Sequence, residues 1–182
     1  MSQTAQPADA LPSKLLADIA QLEEWRAEVE RAVSAGDEDQ AQFMSMLVES
    51  AEDNVEQLRG ACTYACQAGY GATLRSKDGR RWATIFPDAS HPGKSRYQAF
   101  DVNGWICHHT SASIEDAIYE AADDGFVIPD PDAPSRIFSL ESFTTGNQVA
   151  SVLAQLNAGQ IDHEQADRLV AEIRGTSTAE AA

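Results

Sequence analysis

Cysteine is scarce in this chain of 182 residues, and long apolar runs are missing altogether. Cys62, Cys66 and Cys107 are too few, and odd in number, for a disulfide framework, so free thiols in a reducing compartment are expected. No stretch approaches the roughly 20 apolar residues that would span a bilayer. Residues 1–10 have neither a basic nor an apolar leader character, so a cytoplasmic location without membrane contact is expected. Glycine marks no phosphate loop: Gly69-Tyr70-Gly71 stops one helix and enters a strand, whereas a phosphate cradle needs a helix to follow it. Positive charge is also short, with 13 Lys and Arg against 29 Asp and Glu and a net charge of -16. A surface of that sign disfavours nucleic acid and anionic lipid as direct partners and favours basic ones.

Enough apolar residues remain for one core, and the chain has the length of a single α+β domain with a small appendage. Residues 1–12 and 175–182 are polar and aperiodic and are expected to be disordered tails. Between them a core domain over 13–128 is predicted, opening with a helical hairpin over 13–67. Ser13 reads as the cap of its first helix, with Leu15, Ile19, Leu22, Val29 and Val33 at helical spacing and Gly36 as the stop. Asp37 and Gln40 have capping-box spacing for the second helix, whose apolar stripe runs from Phe43 and Met44 to Cys62 and Ala65. At 1.5 Å per residue that helix would be about 45 Å long.

Residues 68–111 carry +3 where the flanking stretches are all negative, and they change to short β-rich runs. Asp78-Gly79 and Asn103-Gly104 sit between such runs as hairpin signals, because a type I′ turn needs positive φ at both central positions. A four-stranded antiparallel meander over 71–109 follows. Two-residue turns would put Leu74 opposite Ala83, Ala72 opposite Ile85, Val102 opposite Trp105 and Phe100 opposite Cys107, all on one apolar face. The other face would hold Arg75, Arg80, Trp82, Phe86, Tyr97 and His108. A third helix over 114–124 is capped by Ser113 and stopped by Gly125.

The proline-rich start of 129–145 reads as a linker or strap, with Ile137, Phe138, Leu140 and Phe143 too apolar to stay in water. A C-terminal helical pair over 146–174 comes last, its second helix capped by Asp162 and Gln165. The order Leu156, Gly159, Ile161, Glu164, Leu169, Ile173 within residues 153–173 resembles the short C-terminal helical hairpin family often called SHOCT. That resemblance implies oligomerisation or docking rather than chemistry.

Two acidic groups stand out. Glu49, Glu52, Asp53 and Glu56 share one face of the second helix, and Asp116, Glu120, Asp123 and Asp124 repeat the arrangement on the third. A solvated helix face accounts for either stripe alone. Bases at the relieving i+4 positions are almost absent, however, and like charges at that spacing disfavour the helix by a few tenths of a kcal/mol each. A basic partner would offset this, and these eight residues are the expected partner-binding set. The partner class is a basic protein or nucleic-acid-binding complex. Nucleic-acid mimics that inhibit restriction or CRISPR machinery share the acidic, compact, non-catalytic composition.

Other chemistry is weaker. Trp82, Tyr97 and Phe86 beside Arg75 and Arg80 would stack and clamp a single strand if that sheet face were open, but helical layers are available to cover it. Cys62 and Cys66 lie on a helix stripe rather than in a metal knuckle, and Cys107 and His108 point to opposite sides of a strand, so no metal or other cofactor is expected. No nucleophile and base pair is singled out, and no enzyme is expected. The main alternative is a homodimer formed through the long helical hairpin.

Overall fold

The computed structural model describes residues 11–175; of the tails expected at 1–12 and 175–182, residues 1–10 and 176–182 lie outside them. Leu11 and Pro12, also placed in a tail by composition, pack on the body: Pro12 is fully buried and Leu11 lies against the main core. Helices α1 (Ser13–Ala35) and α2 (Glu38–Ala68) form the antiparallel hairpin. Ser13 does not cap α1; the helix begins at Ser13 and its cap position is Pro12, which makes no side-chain bond. Asp37 does cap α2, accepting from the Gln40 N–H at 3.1 Å.

Strands β1 (Thr73–Ser76), β2 (Trp82–Pro87), β3 (Ser95–Asp101) and β4 (Gly104–Ser111) form the antiparallel meander, and helix α3 (Ile114–Asp123) follows. α3 touches β2, β3 and β4 as it carries the chain across the sheet. There β5 (Phe126–Pro129) pairs antiparallel with β1, so the sheet has five strands in the order β4-β3-β2-β1-β5. Short helix α4 (Ala133–Ile137), α5 (Glu141–Asn157) and α6 (His163–Ile173) complete the chain. α6 carries the full capping box of Asp162 and Gln165 and packs on α5.

The first hairpin keeps the expected register, with Leu74 opposite Ala83. The second does not: Asp101 faces Gly104, Phe100 faces Trp105 and Ala99 faces Cys107, leaving Ile106 as the extra residue of a bulge. No non-glycine residue among those described has positive φ, so neither turn is type I′; only Gly79 and Gly104 take that region. Pairing of Ala83 with Ala99 and Trp82 with Phe100 then decides the faces. Tyr97 and Ala99 join Leu74, Ala83 and Ile85 under α1, α2 and α3, while Phe100 belongs to the opposite face with Trp82.

That second face is covered at one end. Phe100 is fully buried among Trp82, Trp105, Phe138 and Phe143, with ring centroids 5.0 to 6.2 Å from its own. The strap residues Ile137, Phe138 and Phe143 thus dock as α4 and the start of α5. Asp130 fixes the entry to α4 by accepting from the Trp82 indole N–H at 2.9 Å and from both guanidinium nitrogens of Arg136 at 3.0 and 3.1 Å. Arg136 first, then the Trp82 bond and nearby Arg75, hold the Asp130 carboxyl below its usual range against the opposing effect of burial. α5 also seats on the β3–β4 turn. Ser142 donates to the Val102 carbonyl at 2.6 Å, and Asn147 accepts from the Trp105 N–H at 2.9 Å. A Cβ on Gly146 would lie 1.5 Å from the Asn103 carbonyl oxygen, so only glycine permits this approach.

Candidate functional site

The hairpin reaches beyond the sheet. The large buried residues of α2 that join the main core begin at Leu58, and Met44 and Val55 are buried farther out. Residues 23–56 therefore form an arm, and it carries eleven carboxylates against Arg26 and Arg31. On its outer side Phe43 and Met46 are 57% and 63% exposed. Glu49, Asp53 and Glu56 follow Met46 at i+3, i+7 and i+10, so all five residues continue one ridge facing away from the buried stripe.

The carboxylates expected to bind a partner divide by what they touch. Glu52 is paired with Arg26, which also bonds Glu23 at 2.7 Å. Glu49, Asp53 and Glu56 are exposed and have no ion pair among the described residues, although Asp53 and Glu56 share a shallow cleft with Arg59. On α3 most of the acids serve the fold. Glu120 accepts from Lys14 at 3.0 Å and from the Ser111 hydroxyl at 2.5 Å, with His109 Nε2 at 3.1 Å. The Tyr97 hydroxyl donates to Asp124. Asp116 accepts from the capping Ser113 hydroxyl at 3.0 Å while its own N–H donates back. Asp123 alone is without such a bond among the described residues; it lines a different cleft with Asp18, Trp25, Asn54 and Tyr119. The two stripes do not merge into one surface. Sequence spacing located the α2 ridge but not the internal partners of α3, because Lys14, Ser111 and Tyr97 reach it from distant parts of the chain.

The aromatic clamp does not assemble. Trp82 is buried and its indole N–H is spent on Asp130, while Tyr97 lies on the opposite face and stacks on His109 at 6.0 Å. No cluster of three or more His, Cys, Asp or Glu among the described residues is placed to hold a metal ion. No described helix is long and apolar enough to cross a membrane. Asp88, in the β2–β3 connection, has a strongly lowered carboxyl pKa with a local cause: the Thr110 hydroxyl first, then the N–H groups of Ser90 and His91, all donate to it.

The thiols differ in the same physical terms. Burial pushes Cys62 up to about 12 and Cys66 up to about 11, whereas Cys107 is exposed on β4. Since the thiolate is the nucleophile, an aromatic disulfide reagent is expected to modify one thiol quickly in the native protein and two more only after unfolding. The fast phase should vanish in Cys107→Ser.

Comparison with known protein-family models, curated proteins and solved structures returns no match, and the resemblance of residues 153–173 to a C-terminal helical hairpin family rests on those residues alone.

Proposed function

We propose that the protein is a non-enzymatic inhibitor or adaptor that docks the outer ridge of α2 onto a basic protein surface. The observation that carries this is the run of Glu49, Asp53 and Glu56, exposed and without an ion pair among the described residues, continuous with exposed Phe43 and Met46. Apolar anchors beside charges that need completing are the usual ingredients of a specific interface. A second copy of the same arm is a poor occupant. With eleven carboxylates against two arginines on each arm, two arms repel. In the sharpest form of this reading, the carboxylates stand in for phosphates and the partner is a complex that normally holds nucleic acid, such as restriction or CRISPR machinery.

The test is recovery of co-purifying chains from the native host with wild-type protein and with the triple variant Glu49→Lys, Asp53→Lys, Glu56→Lys. A basic chain held by the wild type, released by salt and absent with the variant is expected. Recovery of the same chains by both proteins would sink the proposal. If the captured chain does not bind nucleic acid, mimicry is wrong but the acidic interface stands.

A further inference from the structure

The two edges of the sheet are unlike. At one edge β5 has four residues, ends in Pro129 and is packed by α2, and short strands, proline and a covering helix all block further pairing. At the other edge β4 has eight residues, and Gly104–Ser111 contains no proline, carboxylate, ammonium or guanidinium. Its first part is occupied: α5 lies there, the Trp105 N–H is bonded to Asn147, and the bulge at Ile106 breaks the ladder. Beyond the bulge, Cys107 to Ser111 pair with β3 in unbroken register and have no strand among the described residues on their far side. Ile106, Cys107, His108 and His109 are all exposed, Ile106 at 48%. A regular, uncharged edge with free main-chain groups is a template for another strand.

The geometry points to a second copy of this chain as the occupant, its β4 adding antiparallel to the first to give a continuous ten-stranded sheet. Charge distribution favours this. The acidic arm is anchored over β1 and β5, at the far side of the sheet from β4. With strands about 4.8 Å apart, pairing through β4 keeps the two arms separated by both sheets. Near the edge, Glu120 is already matched by Lys14. A two-fold axis perpendicular to the two strands makes them antiparallel, which continues the pattern of all the other pairs. Only five residues pair on each side, so the dimer is weak and concentration-dependent.

Sedimentation and amide exchange of the full chain at low and high concentration test this. The mass is expected to rise toward twice the monomer value, while alternate amides within 107–111 slow by about tenfold. Ile106→Lys and, separately, His108→Lys, both at exposed sites, should restore the monomer at unchanged melting temperature. The lysine variant of Glu49, Asp53 and Glu56 should leave the dimer intact, which separates this inference from the acidic interface. A monomer at every concentration would overturn it, and so would self-association that persists in both edge variants.

Discussion

Replacing Gly146 with alanine is expected to destabilise the protein by about 3 kcal/mol, at the upper end for inserting a methyl group into a packed site. Its sign is opposite to the ordinary effect. Glycine inside a helix disfavours it by about 1 kcal/mol relative to alanine, and Gly60 in α2, where an added Cβ meets nothing within 4 Å, is expected to show that gain on replacement. At Gly146 the methyl would meet the Asn103 carbonyl at 1.5 Å, and main chain cannot rotate aside as a flexible side chain does. α5 would have to lift from the turn. The Ser142 and Asn147 bonds would be lost with it, leaving the Trp105 N–H without its partner. Thermal or denaturant melts of Gly146→Ala and Gly60→Ala, side by side, check this. Equal signs would mean that α5 does not sit where the structure places it.

Phe100→Ala is expected to have the largest effect, a loss of about 4 kcal/mol. Phe100 is fully buried and its ring contacts those of Trp82, Trp105, Phe138 and Phe143. Two of those partners come from the sheet and two from the segment that docks on it, so the truncation removes the shared centre of both. α4, α5 and α6 should then open before the rest of the molecule, and limited proteolysis should cut first within 130–160. A small loss, with no new cleavage there, would place the aromatic cluster outside the cooperative unit.

Helices α2, α3 and α6 were legible because their starts are written locally, whereas α4 and the first residues of α5 fall within 129–145, read as a linker or strap. Asp37, Ser113 and Asp162 cap in the structure as their spacing indicates. The first β-hairpin was legible for the same reason. The second was not: a left-handed Gly104 after a Val102–Asn103 turn, rather than an Asn-Gly type I′ turn, moves the partner of Phe100 by two residues, from Cys107 to Trp105, and the bulge at Ile106 takes one residue back. Strands alternate with period two, so the two-residue shift keeps Phe100 and Trp105 on one face, and only the single-residue slip at the bulge exchanges faces, carrying Cys107 to the side of Ala99. The side that β3 presents is fixed by pairing with β2 across the Asp88–Lys94 connection, whose length no local turn rule governs. β5 escaped notice because Phe126–Pro129 is too short to show a period and runs straight into a proline-rich stretch. On the candidate site, helical spacing was enough to gather Glu49, Asp53 and Glu56, but Arg26 beside Glu52 and Lys14 beside Glu120 are long-range contacts.

Thermal melting of the wild type and of the Glu49→Lys, Asp53→Lys, Glu56→Lys variant across a salt series addresses the acidic ridge most directly. If these carboxylates have no counterions in the free protein, their repulsion is relieved by salt, so wild-type stability should rise with ionic strength. The variant should melt at the same or a higher temperature in low salt and respond less to added salt. A variant that melts clearly lower than the wild type in low salt would show that the three carboxylates already hold the fold together, and the acidic interface would lose its basis.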